Sequence, residues 1–161
     1  MLRLLRFCCW VIFVGSILGT RAMAWEGTAT RVLDGDTILV RYEGSIVTIR
    51  LYGIDCPEYG QPYWQEAKGA VQDMVLGKKV RIESMDTDQY GRTVGLVGVR
   101  GGLVNAELVR QGMAWVYTHY CTKQPLCRSL REIEDAARMN GVGLWRDRKP
   151  TPPWVWKHSR R

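Results

Sequence analysis

Three β-rich runs follow one another almost without pause: Thr28 to Leu33, Thr37 to Tyr42 and Ile46 to Tyr52. Only the Asp34-Gly35-Asp36 and Glu43-Gly44-Ser45 turns separate them. Gaps that short join neighbouring antiparallel strands, so the runs read as a meander. The third strand then enters a turn rich in charge, Arg50-Leu51-Tyr52-Gly53-Ile54-Asp55-Cys56-Pro57-Glu58. Any fold for this chain must bring that turn close to the acidic turn between the first two strands.

Downstream the period changes. After Gln61-Pro62, the residues Trp64, Ala67, Val71, Met74 and Val75 form a helical stripe that Gly77 ends. Val80 to Ser84 and Val94 to Arg100 read as two further strands around a polar turn, Asp86 to Gly91. A short helix carrying Val104, Leu108 and Val109 stops at Gly112. Beyond the aromatic segment Ala114 to Tyr120, a third helix starts near Pro125, buries Leu126, Leu130, Ile133 and Ala137, and ends at Gly141. The expected class is α+β: a five-stranded OB-type Greek-key barrel with three α-helices. Asp147 to Arg161 is rich in Pro, Trp and Arg and has no period. There Trp154 and Trp156 could stack on bases, but a tail packed on the barrel or lying disordered is the stronger expectation.

The N-terminus has a different character. Two arginines within Met1 to Arg6, a 13-residue apolar run from Phe7 to Gly19, and Ala22-Met23-Ala24 have the form of a secretory signal peptide cut before Trp25. The apolar run is shorter than the roughly 20 residues that span a bilayer. The division expected is therefore leader 1–24, domain 25–146 and tail 147–161. The mature protein is expected to be exported to a periplasm or medium, without a membrane anchor and as a monomer. The full chain carries a net charge of +7, and the leader takes Arg3, Arg6 and Arg21 with it, leaving +4. A modest positive charge suits a polyanionic partner without requiring one. Cys8 and Cys9 also leave with the leader. In an oxidising compartment the remaining Cys121 and Cys127 are placed to form a disulfide, with Cys56 free. Neither His119 nor His158 completes a zinc-ligand spacing with two cysteines, and His119 reads as an exposed rim residue.

Each charged motif has an ordinary explanation when taken alone. Asp-Gly makes turns, an Asp before a proline turn binds its own backbone, and Arg50 in an alternating strand could face solvent. Their order is what is specific. Asp34-Gly35-Asp36-Thr37, Arg50-Leu51 leading to Asp55-Cys56-Pro57-Glu58, Tyr90-Gly91-Arg92, and Val104-Asn105 through Leu108-Val109-Arg110-Gln111-Gly112 together resemble the staphylococcal nuclease (thermonuclease) family, from about Gly27 to Gly143. The resemblance implies a nuclease that cleaves DNA and RNA at the P–O5′ bond, leaving 3′-phosphate and 5′-hydroxyl ends. It implies Asp36, Asp55 and the backbone carbonyl of Cys56 as Ca²⁺ ligands. Glu58 would orient or deprotonate the attacking water, Arg50 and Arg92 would hold the scissile phosphate, and Tyr90 and Tyr120 would line the nucleotide pocket. The sequence departs from the family where Cys56 replaces a threonine and where Thr118 stands at the first pocket tyrosine, between Tyr117 and Tyr120.

Elementary chemistry supports that reading. Calcium takes oxygen ligands in irregular geometry and binds weakly in extracellular sites, at ~10⁻⁴–10⁻³ M. Three carboxylates, one calcium ion, two guanidiniums and one phosphodiester sum to zero formal charge. A planar guanidinium donates to two phosphate oxygens at once, which an ammonium cannot do. The competing readings are an OB-type binding module without catalysis and a polyanion-binding domain. Neither has a reason to hold Asp36, Arg50, Asp55, Glu58 and Arg92 together.

Overall fold

The computed structural model describes residues 24–159. Apart from Ala24, the expected leader lies outside the described residues. β1 (Ala24–Val32), β2 (Thr37–Tyr42) and β3 (Ser45–Leu51) form the antiparallel meander. β4 is the two-residue strand Ile54–Asp55, and α1 spans Trp64–Val75. β5 (Lys79–Thr87) and β6 (Thr93–Val99) form the second hairpin, followed by β7 (Gly102–Leu103) and α2 (Val104–Arg110). β8 (Trp115–Val116), α3 (Leu126–Met139), a 3₁₀ turn (Gly143–Arg146) and α4 (Pro153–Ser159) complete the chain.

The sheet runs β3-β2-β1-β5-β6-β7, and β3 also pairs with β6 in parallel, Ile49 against Thr93 and Arg50 against Val94. That seam closes the five long strands into a barrel, the OB-type α+β architecture read from the sequence. Inward positions alternate along the strands and fill the barrel with Ala29, Ile38, Val40, Ile49, Leu51, Ile82 and Val97. One face of α1, Ala67, Val71 and Val75, is buried against it. Asn105 of α2 lies at the seam with no exposure; its Oδ1 accepts from Val97 N–H (3.0 Å) and its Nδ2 donates to Tyr52 C=O (3.0 Å). The Val104-Asn105 motif is thus a clamp between helix and barrel.

Two details differ from the sequence-based expectation. Helix α1 begins at Trp64 rather than at Gln61-Pro62, because Gln61 is buried and its side chain is used elsewhere. The described residues also hold four α-helices, not three, because the tail forms α4. A proline at the first helical position has its φ already set, and its missing N–H costs nothing there, so Pro153 is a good starter. A seven-residue helix is marginal alone; docking stabilises this one. Pro153 is buried, and Trp154 stacks flat on Tyr117 (centroids 4.8 Å apart, planes 4° apart) and meets Trp115 edge-on. The tail packs on the body.

Cys121 and Cys127 are joined by a disulfide, with Cα atoms 5.5 Å apart. It fixes the start of α3 beside Tyr52, whose hydroxyl accepts the N–H groups of Thr122 and Lys123 at 3.0 Å. No helix among the described residues is long and apolar enough to cross a membrane.

Candidate active site

The acidic turn before β2 is shaped by its neighbours. Asp36 N–H donates to Asp34 Oδ1 (3.1 Å), and Leu51 N–H donates to Asp36 C=O (2.8 Å), which fastens the turn to the end of β3. Gly35 is there for room rather than for a left-handed φ. A Cβ at that position would stand 2.7 Å from Cys56 Cβ and 3.0 Å from Ala67 Cβ. The Asp-Gly-Asp turn can therefore press against the Asp55-Cys56-Pro57 turn. At the end of β3, Gly53 does need its positive φ (76°), and any side chain there would strike Cys121 Sγ.

The two turns meet at Arg50. Its Nη2 donates to Asp55 Oδ1 at 2.6 Å, and its Nη1 lies 2.7 Å from Asp36 Oδ2 without a hydrogen-bonding alignment. Cys56 N–H donates to Asp36 Oδ2 (2.8 Å), and the Thr37 hydroxyl donates to Asp36 Oδ1 (3.2 Å). Asp36 is 6% exposed and Asp55 0%. Burial, then the charge of Asp36, raises the Asp55 carboxyl to about 6, against the opposing pull of Arg50 and Lys157. Burial works against the Arg50 charge, but Asp36 and Asp55 outweigh it and hold the guanidinium protonated. The Cys56 thiol, fully buried and beside Asp36, is pushed far up and donates to Gly35 C=O at 3.1 Å. It is a packed thiol, inert as a nucleophile.

Glu58 stands at the mouth of this cluster. Its N–H donates to Gln61 Oε1 (3.0 Å), and Gln61 Nε2 donates to Thr151 C=O in the tail (2.7 Å). Lys157 of α4 lies 2.7 Å from Glu58 Oε1 and 3.4 Å from Asp55 Oδ1. No periodicity or motif in the tail marks Lys157, so a cation at this place is not legible in the sequence. Asp55 itself is placed by β4 pairing with β8, where it faces Trp115, the residue that Trp154 packs on.

Among the described residues no ion pair or hydrogen bond joins Arg92 to that cluster. Arg92 occupies the turn before β6, where its Nε donates to Asp88 Oδ2 (2.7 Å) and its guanidinium lies 5.5 Å from the Tyr90 ring. The Asp88 carboxyl bears a burial cost, but Arg92 and the N–H groups of Arg92 and Tyr90 hold it below its ordinary range. The β3–β6 register nevertheless puts Arg92 two residues, about 7 Å along the strand, from the partner of Arg50. Of the expected pocket aromatics, Tyr90 is 75% and Tyr120 62% exposed. Tyr120 meets Tyr117 edge-on, centroids 5.0 Å apart. His119 is also exposed.

A protein-family model described as Staphylococcal nuclease homologue matches residues 48–147, from the start of the Arg50 turn to the end of the 3₁₀ turn. The chain belongs to the staphylococcal nuclease homologues. It is 42% identical over 136 residues to an uncharacterized endonuclease of Escherichia coli O157:H7, covering 84% of this chain and 86% of that one. Over 148 residues it is 35% identical to a micrococcal nuclease of Shigella flexneri, covering 84% of each. A third relative, protein ParB of Escherichia coli, is 37% identical over 157 residues, covering 89% and 87%. As a staphylococcal nuclease homologue the chain is a nuclease, a hydrolase of phosphodiester bonds.

The donors of this homologue suit the hard cation that the family implies. Among the described residues no three His, Cys, Asp or Glu side chains form a cage. The oxygens that the family resemblance implies are instead those of two carboxylates and the Cys56 carbonyl. Arg50 takes one oxygen of each carboxylate and leaves one. Asp36 Oδ1 accepts from the Thr37 hydroxyl at 3.2 Å, and Asp55 Oδ2 is buried with no hydrogen-bond partner. A buried anionic oxygen without a donor is costly unless a cation meets it. These residues fit Ca²⁺.

Proposed function

We propose that the protein is an exported, Ca²⁺-dependent nuclease that cuts both DNA and RNA as a monomer, with little sequence preference. Its products carry 3′-phosphate and 5′-hydroxyl ends, as the family resemblance implies. The observation that carries this reading is the buried Asp36–Arg50–Asp55 arrangement, with one oxygen of each carboxylate left over and Glu58 at its mouth.

Asp36, Asp55 and the Cys56 carbonyl would hold the ion, which when bound supplies a Lewis acid for a phosphoryl oxygen. Arg50, held between Asp36 and Asp55, is the guanidinium placed nearest the ion site to meet a phosphate oxygen and the charge that grows there in the transition state. Glu58, half-buried and held by Gln61, orients the attacking water and accepts its proton. Arg92 has only its Nε engaged among the described residues, which leaves two terminal nitrogens for the same phosphate. Contacts of this kind go to the backbone, so sequence is read only weakly.

The test uses residues 25–161, purified and given end-labelled single-stranded DNA and RNA. Cleavage of both with calcium, arrest by a chelator, and fragments that need phosphatase before 3′ ligation support the reading. Cleavage that persists in chelator removes the metal mechanism. Export is checked by expressing the full chain and sequencing the N-terminus of the protein outside the cytoplasm, which should begin at Trp25.

A further inference from the structure

The acidic cluster holds more negative charge than Arg50 can balance. Asp34, Asp36, Asp55 and Glu58 gather within two adjoining turns, and a nucleic-acid strand adds a negative phosphate per nucleotide. Beside the divalent ion this cluster is proposed to hold, one further cation reaches it from the far end of the chain. Lys157 lies three residues after Trp154 and four after Pro153, so all three share the docked face of α4. The upstream anchors hold that face without help from Lys157: Pro153 is buried, Trp154 is stacked on Tyr117, and Gln61 is bonded to Thr151 C=O. The lysine is thus free to serve the site.

We propose that Lys157 is a substrate-binding residue of this nuclease, an ammonium carried by the C-terminal helix to the mouth of the acidic cluster, where it takes a backbone phosphate oxygen of the bound strand. The proposal rests on the nuclease reading. Two features of the geometry support it. An ammonium has three N–H donors; Glu58 Oε1 takes one at 2.7 Å, Asp55 Oδ1 is a long contact at 3.4 Å, and at least one donor is left over. The side chain is also 41% exposed, compared with 15% for Arg50, so a strand lying across the mouth reaches Lys157 before it reaches Arg50. An ion pair this exposed is weak, and Lys157 can turn toward a phosphate while keeping Glu58 beside it.

The experiment measures binding of a fluorescein-labelled oligothymidylate to residues 25–161 by anisotropy, in chelator so that no strand is cut, across a sodium chloride series. Wild type, Lys157→Gln and Lys157→Arg are compared, with circular dichroism and tryptophan emission confirming that the tail is docked. Removing one phosphate contact from a single strand lowers the slope of log K against log salt by about 0.7, and binding at low salt should fall about fivefold. Lys157→Arg should keep the slope. With calcium and cleavable DNA, Lys157→Gln should raise KM several-fold, as expected for lost ground-state binding, and Lys157→Arg should restore it. An unchanged slope overturns the proposal, as does tighter binding, which would mean that the helix obstructs the strand. A lower kcat at constant KM also overturns it, because Lys157 would then act only through Glu58. Wild-type protein that cleaves no strand with calcium would overturn the nuclease reading and this proposal with it, whereas normal wild-type cleavage and binding with an unaffected Lys157→Gln overturns this proposal alone.

Discussion

Asp55→Asn should make the protein more stable and inactive, and the size of the gain follows from the site. Asp55 has 0% exposure, and its carboxyl is raised from 3.8 to about 6 by burial and by Asp36, after the opposing pull of Arg50 is included. At 1.36 kcal/mol per unit, that shift means the ionised side chain costs the folded state about 3 kcal/mol. At pH 7 nearly the whole cost is felt, because the group is ionised in both states. The amide keeps the shape and removes the charge, so the variant should gain about 3 kcal/mol in chelator. With a urea slope of about 2 kcal/mol/M, the midpoint moves up by about 1.5 M. The sign of the pH dependence follows from the raised folded value. The folded wild type binds this proton more tightly than the unfolded chain does. Stability therefore rises as pH falls from about 7 toward 4, is lost again as pH rises through 6, and is flatter in the variant. Calcium should narrow the gap from the other side. At 10 mM and a Kd of ~10⁻⁴–10⁻³ M, it should stabilise wild type by about 1.4–2.7 kcal/mol and leave the variant unmoved. The assay is urea unfolding followed by tryptophan emission, in chelator and in calcium, at pH 5 and 7. A variant no more stable than wild type in chelator at pH 7 would refute the reasoning, because the Arg50 pair would then outweigh the burial of the charge.

Asn105→Ala should cost about 3 kcal/mol, since it strands the buried Val97 N–H and the Tyr52 carbonyl at the barrel seam; thermal unfolding measures it, and a loss under 1 kcal/mol would mean the clamp is dispensable. Arg92→Ala and Glu58→Gln should each lower kcat by at least a hundredfold on single-stranded DNA with an unchanged circular dichroism spectrum, and near-normal turnover would remove them from the site. Mass spectrometry without reductant should find Cys121 linked to Cys127, and replacing both by alanine should cost about 2 kcal/mol in the chain-entropy model. Two alkylatable thiols at those positions would rule the bridge out.

The parts of the fold that depend on local order could be read in the sequence. The alternating runs and their Asp-Gly and Glu-Gly turns give β1 to β3, and the apolar stripes of α1 and α3 repeat at helical spacing. The chemistry of the acidic turn was legible for the same reason: Asp36, Arg50, Asp55 and Glu58 sit at turn positions that a meander returns to one rim. What escaped depends on tertiary docking. β4 and β8 are two residues each and exist only as partners of one another, with Asp55 opposite Trp115. Helix α4 has too few turns to show a period, and it owes its existence to aromatic surfaces on Trp115 and Tyr117. Lys157 shares that fate: its role is set by where Trp154 lands. The bond between Arg92 Nε and Asp88, the carboxylate of its own turn, is likewise a contact that no motif marks.

The parallel seam between β3 and β6 governs the order in which this molecule can become sealed. As the polypeptide emerges, β3 has only β2 beside it, and its other margin stays an unsatisfied row of amides until Thr93 to Gly95 has been delivered. Until then the carboxylates and Arg50 share a half-open trough, and the young chain offers a template to any neighbouring extended segment. Fragments ending before Thr93 should therefore clump more readily than the finished barrel, in which Ile49 to Leu51 are paired with Thr93 to Gly95.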